Sequence, residues 1–208
     1  MVDLTYKYES YFANNKTMNL TLNLPETLKV SQEQFAELAQ MNQDVRLELT
    51  AKGELIIMPP TGGETGNRNF EFYIDLGIWN RQKRLGKAFD SSTGFVLPNG
   101  ANRSPDASWI KMERWSELTP QQRQKLLPLC PDFAVELVSE SDRIANTREK
   151  MQEYLENGLR LGWLIEPKTR TVEIYRPNRE VEVLPNPVRL SGEDVLPDFT
   201  LTLAEVWD

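Results

Sequence analysis

Histidine is absent from all 208 residues. That removes Ser–His and Cys–His nucleophile pairs, His-based zinc hydrolases and histidine general bases. Cysteine is nearly absent. Cys130 stands alone, which excludes an internal disulfide or a Cys-rich zinc site and suits a reducing cytoplasm. Between Leu129 and Pro131 it reads as a small buried hydrophobe. No run of about 18 apolar residues occurs, so no membrane span is expected. The opening MVDLTYKYES lacks a basic start leading into an apolar stretch, so no signal peptide is expected. Any chemistry must fall to carboxylates, lysine, hydroxyls or a bound ion. Carboxylates suit oxygen-loving Mg2+ or Mn2+.

The length allows one sizeable core and falls short of two comfortable domains. The net charge of −7 argues mildly against a nucleic-acid partner, but its distribution weakens the objection. Residues 1–60 hold 5 basic and 8 acidic residues, residues 161–208 hold 5 and 9, and the middle hundred hold 14 of each. Within that middle, Arg81, Lys83, Arg84 and Lys87 cluster. They read as a solvated helix end or as phosphate contacts.

Residues 1–30 are polar and Asn-rich, and read as a loosely ordered or edge-lying arm. Ser31 with Gln34 has the spacing of a capping box, opening a helix that turns Phe35, Leu38 and Ala39 to one side. Val45 to Thr50 alternates, with Val45, Leu47 and Leu49 on one face and Arg46, Glu48 and Thr50 on the other. Glu54 to Met58 returns as the second strand of a hairpin. The ordinary expectation for Glu48 is exposure to solvent.

Thr61 and Glu64 are spaced as a second capping box, for a long helix running to about Leu85 and capped by Gly86. Two apolar stripes follow helical spacing: Phe70, Tyr73, Ile74, Gly77 and Ile78, and Phe72, Leu76 and Trp79. Such a helix is buried between layers or in a subunit interface, its aromatics core rather than a platform for bases. Short strands are expected over Lys87–Asp90, Gly94–Leu97 and Ala107–Ile110. A charged helical connection runs from Arg114 to Lys125 with a break at Leu118-Thr119-Pro120. Further strands fall at Leu161–Ile165, Thr171–Tyr175 and Val181–Leu184, and the tail ends in a short amphipathic piece. This order predicts one mixed sheet flanked by helices.

One acid breaks an otherwise apolar strand. Glu136 sits within Phe133 to Val138, and an unpaired carboxylate there costs several kcal/mol. Fourteen residues on, Lys150 lies on the next predicted helix, Ile144 to Glu156, beside its core stripe of Met151, Tyr154 and Leu155. Its stem can lie along apolar surface and carry its ammonium back to Glu136. The pair reads either as a buried ion pair or as a metal ligand with its charge partner. Asp106, behind Pro105 at the mouth of a strand, reads either as a local turn acceptor or as a second ligand.

At these residues the chain resembles the P-D…(D/E)-x-K signature of restriction-endonuclease-like nucleases: Pro105-Asp106 followed by Glu136-Leu137-Val138. Over roughly residues 30–206 it is similar to the Uma family of bacterial endonucleases, long described only as a domain of unknown function. The resemblance is carried by RLELTAKGELIIMPPTGGE, RSPDASWI, PDFAVELVSESD, KMQEYLENGLRLGWLIEP with VEIYRP, and LPDFTLTLAEVW. It implies an α/β (mixed α+β) fold with a restriction-endonuclease-like core, an added N-terminal hairpin and added C-terminal strands. The expected division is an arm over 1–30 and one nuclease domain over 31–208.

Carried over by position, Asp106 and Glu136 match the metal-binding acids, with the backbone carbonyl of Leu137 as a further ligand. The family's strand lysine position is Val138 here, and its match is Lys150. Glu48 matches an acid on the family's first hairpin. The implied activity is Mg2+- or Mn2+-dependent hydrolysis of DNA phosphodiester bonds by a metal-activated water. The alternative is a nuclease-fold module, weak or inactive, that binds nucleic acid or a protein partner. The acidic charge favours the alternative, as does Thr65, where many members carry a histidine. The apolar circumference of the long helix suggests a homodimer.

Overall fold

The computed structural model describes residues 20–22 (backbone course), 29–58, 60–140 and 142–207. Every residue of strand β8 (Phe133–Leu137) is buried, as its apolar run requires. It lies inside a six-stranded sheet of order β11-β10-β9-β8-β7-β4. The other members are β4 (Gly86–Asp90), β7 (Ala107–Lys111), β9 (Leu161–Glu166), β10 (Thr171–Tyr175) and β11 (Glu182–Pro185). Strands β8 and β9 run parallel, with Phe133 opposite Leu161, and all other neighbours are antiparallel. A parallel pair needs a crossover, here helix α5 (Ile144–Glu156).

Alternation along β8 sorts its side chains between two layers. Phe133, Val135 and Leu137 pack with Phe72, Leu76 and Trp79 of helix α2 (Gly63–Lys83). Ala134 packs with Met151 and Tyr154 of α5. Glu136 shares the α5 side. The Phe133 and Trp163 rings meet edge to face at 4.9 Å.

A second sheet, β1-β3-β2-β6-β5, comprises β1 (Leu20–Leu22), β2 (Arg46–Leu49), β3 (Leu55–Met58), β5 (Phe95–Val96) and β6 (Asn102–Arg103). The expected hairpin forms with Arg46 opposite Met58. Strand β6 leads through Ser104–Asp106 into β7, so the small sheet delivers β2 to the beginning of β7. Helix α1 (Gln32–Met41) carries the expected Ser31–Gln34 capping box and buries Phe35. The break in the charged connection is real. Helix α3 (Met112–Glu117) ends before Thr119, which caps α4 (Pro120–Arg123).

Of the arm over 1–30, β1 pairs with β3 at the sheet edge, in keeping with an edge-lying arm; residues 1–19 and 23–28 lie outside the described residues. Several other expectations need correction. Helix α2 is capped by Gly62 with no side-chain bond, so Thr61 and Glu64 form no capping box. It ends at Arg84, whose φ of 55° takes the left-handed position expected of Gly86. Gly86 instead begins β4, where a Cβ would collide with the Ile110 carbonyl and the Trp109 ring. The two stripes of α2 also part company. Phe72, Leu76 and Trp79 are buried, but Phe70, Ile74 and Ile78 are exposed at 59%, 37% and 50%. Arg143 stands at the N-cap of α5 without a side-chain cap bond, and just before it Asp142 accepts the Ser139 N–H.

The tail is more than an amphipathic end. Strands β12 (Arg189–Ser191) and β13 (Thr200–Thr202) pair antiparallel. With helix α6 (Ala204–Trp207) they add Leu190, Leu201 and Val206 to the core layer under α2. No described helix is long and apolar enough to cross a membrane.

Candidate active site

The antiparallel register of β7 and β8 sets Ala107 opposite Val135. One step further along each strand brings Asp106 beside Glu136. A hydrogen bond fixes the approach: the Leu137 N–H donates to Asp106 Oδ2 at 2.8 Å. Pro105 restricts the backbone just before it, and the Tyr73 hydroxyl donates to the Asp106 carbonyl at 2.7 Å. The acid is thus held from α2 and from β8.

Glu136 points to α5. There Lys150 and Tyr154, one turn apart on one face, both reach Glu136 Oε1. The Lys150 ammonium is 2.9 Å away and the Tyr154 hydroxyl donates at 3.0 Å. Lys150 also stands 2.8 Å from Glu48 Oε1. Glu48 is 2% exposed, so the expectation that it faces solvent fails. Its side of β2 is covered by Lys150 and by Arg103, which donates to Glu48 Oε2 at 3.2 Å. Glu48 Oε1 also accepts the Ser104 N–H at 2.8 Å. Arg103 in turn lies 2.5 Å from Glu153 Oε2. The result is an alternating line of charge: Glu153, Arg103, Glu48, Lys150, Glu136.

Burial and neighbours set the protonation of this line. Burial pushes the Glu136 carboxyl up to about 7. Lys150 opposes the rise, while Asp106 and Glu48 add to it. Burial also raises Asp106, against the Leu137 N–H, Lys150 and Arg46. For Glu48 burial is opposed and outweighed by Lys150, Arg103 and the Ser104 N–H, which hold its carboxyl below the usual range. Burial disfavours the charge on Lys150, but Glu136 and Glu48 outweigh it and keep the ammonium protonated. Three carboxylates thus share two cations, and Glu136 is the one least satisfied as an anion.

Among the described residues, no hydrogen bond or ion pair engages Asp106 Oδ1 or Glu136 Oε2. With the Leu137 carbonyl they would offer hard oxygens of the kind that suits Mg2+ or Mn2+. Glu48 is spent on Lys150, Arg103 and Ser104. Among the described residues, no three acids or cysteines gather as metal ligands.

The structure therefore brings Asp106, Glu136, Lys150 and Glu48 together. It does not bring Arg81, Lys83, Arg84 and Lys87 to them. Lys87 lies opposite Ile110 at the far end of β7, Lys83 pairs with Asp198 at 2.7 Å, and Arg84 caps α2. Two groups went unforeseen in the sequence. The Lys150–Tyr154 spacing was there to read. Arg103 left only a weak signal, a charge two residues ahead of Pro105.

A family model described as "Putative restriction endonuclease" matches residues 32–204. The fold is similar to that of a crystal structure described as a putative nuclease belonging to DUF820 from Anabaena variabilis ATCC 29413. The TM-score is 0.67 at 21% identity, covering 77% of this chain and 89% of that one. No curated protein sequence matches the chain. The match over most of its length, on a mixed sheet that sets Asp106 beside Glu136, makes the chain a member of the Uma2 family of restriction-endonuclease-like proteins.

Proposed function

We propose that this protein is a divalent-metal-dependent endonuclease acting on DNA phosphodiester bonds. The observation that supports the reading best is the meeting of Asp106, Glu136 and Lys150 at the ends of β7 and β8, with an unshared oxygen on each acid. A divalent ion held by Asp106, Glu136 and the Leu137 carbonyl would supply charge neutralisation at the phosphate and a water of lowered pKa. The chain's own residues do the rest. Asp106 is oriented by the Leu137 N–H. Glu136 is oriented by Lys150 and Tyr154. Glu48 fixes the ammonium of Lys150, which stays protonated and can orient the attacking water or stabilise charge growing on the phosphate oxygens. No histidine is needed. The exposed stripe Phe70–Ile74–Ile78 supports a homodimer built on α2.

The test is cleavage of plasmid and linear duplex DNA by the purified chain with Mg2+, with Mn2+ and with a chelator. Cutting in either metal, none with the chelator, and none by a folded Glu136→Ala variant is the expected pattern. A Glu136→Ala variant that cuts as fast as the parent would overturn the assignment. Calorimetric titration of Mn2+ into the parent, Asp106→Ala and Glu136→Ala tests the ion site without a substrate.

A further inference from the structure

Side chains two apart on a strand share a face, so Arg46 lies on the side of β2 that carries Glu48 and meets Lys150. Leu49 pairs with Asn102 across β2 and β6, and Glu48 takes the Ser104 N–H. Continuing that antiparallel register brings Arg46 level with Pro105 and Asp106. The charge of Arg46 is among those that act on the Asp106 carboxyl.

Yet Arg46 forms no ion pair with any described carboxylate, and its Nε is buried without a hydrogen-bond partner. A buried donor left unmet costs about 1–3 kcal/mol, and each such group in a folded protein asks for a reason. The neighbouring acids do not supply one. Glu48 is engaged through both oxygens, Asp106 Oδ2 is bound to the Leu137 N–H, and Asp106 Oδ1 makes no hydrogen bond to Arg46. A guanidinium offers a planar fork of donors that fits the oxygens of a phosphate.

We infer that Arg46 is a phosphate-gripping residue, donating to a non-bridging oxygen of the nucleic-acid phosphate that enters between β2 and the Asp106–Glu136 pair. The inference rests on the endonuclease reading and adds to Lys150 a second protein cation for the phosphate, one that is not ion-paired with the acids of the site. It also moves the phosphate contact away from the Arg81–Lys87 cluster to the acidic end of the sheet.

The experiment is binding of a short labelled DNA duplex to the full chain, followed by fluorescence anisotropy across a salt series. Ca2+ replaces Mg2+, and the duplex is recovered and checked for integrity. Parent, Arg46→Ala, Arg46→Gln and Lys87→Ala are compared, with thermal melting to confirm folding; Arg46→Gln keeps a polar stem should the alanine variant fail to fold. Losing one phosphate contact makes the slope of log K against log salt shallower by about 0.9. The expected result is that change, with roughly tenfold weaker binding at low salt, in both Arg46 variants and not in Lys87→Ala. An unchanged slope in a folded Arg46 variant overturns the inference and leaves the endonuclease reading standing. An equal change in Lys87→Ala shows a general charge effect and also overturns it. A parent that binds no duplex at any salt overturns the endonuclease reading, and this inference with it.

Discussion

Lys150 reaches 2.8 Å from Glu48 Oε1, although the two residues stand more than a hundred positions apart and on different layers. The contact ties the small sheet to α5 and hands Glu136 a cation that is already fixed. A lysine on a helix, rather than on the strand beside its acid, can serve the site because Glu48 removes its freedom. Its stem and head are 13% exposed, so little of the pair is screened by water.

Replacing Lys150 with Met should therefore act on stability as well as on cleavage. Two carboxylates would be left buried with one cation fewer. Breaking a buried pair from one side typically costs about 3–5 kcal/mol. Urea unfolding at pH 8 should show a loss of that order, and nuclease activity should vanish. Adding Glu48→Gln should recover part of the lost stability but none of the activity. Strictly additive losses would mean that the two residues are not coupled in solution.

Arg103 should behave as a positioning residue. It touches Glu48 and Glu153 but neither Asp106 nor Glu136. Arg103→Lys keeps the charge but cannot fork between two carboxylates. Unfolding should show a loss of about 1–3 kcal/mol, and the cleavage rate should fall with little change in DNA affinity. A rise in the dissociation constant at an unchanged rate would place Arg103 on the substrate instead.

Much of this was legible in the chain and some was not, for physical reasons. Strand β8 and helix α5 stood out because a continuous apolar run and a strong helical period each leave few alternatives. Glu136 stood out as the one acid in that apolar run, with Lys150 beside the core stripe of the next helix, whereas the metal-ligand reading of Asp106 leaned on the motif blocks. Glu48 was misread because alternation assigns a residue to a face and says nothing of what covers that face. The cover comes from Arg103 and Lys150, far along the sequence. Both stripes of α2 are apolar, and the sheet took the one whose Phe72, Leu76 and Trp79 fit against Phe133, Trp109 and Trp163. Strands β12 and β13 are three residues each, too short to show a period of two.

The stripe that the sheet left outside makes the dimer testable. Phe70, Ile74 and Ile78 follow one another at four-residue steps on the exposed side of α2. Ile74→Glu should convert a dimer to monomer in sedimentation velocity while leaving the melting of the dilute protein within a few degrees. A parent already monomeric at high concentration would remove the dimer and leave the active-site reading untouched.

Glu136 should give the site a measurable dependence on pH. Its carboxyl is pushed up to about 7 by burial, from an ordinary value of 4.5. Between those values the folded chain holds a proton that the unfolded chain has released. Stability must therefore fall as pH rises through that window, and the cost is fully present above about 7. Glu136→Gln cannot ionise, so its stability relative to the parent should grow by roughly 2–3 kcal/mol from pH 5 to pH 8, read from urea unfolding at each pH. A bound divalent ion should act in the opposite sense. It needs the carboxylate, so Mn2+ should bind more weakly as pH falls below 7, and binding at pH 6 should release a proton. Calorimetry in two buffers of different ionisation heat measures that proton directly. A heat independent of buffer at pH 6, together with a constant stability difference from pH 5 to pH 8, would show that Glu136 is already ionised in the folded chain and that Lys150 satisfies it completely.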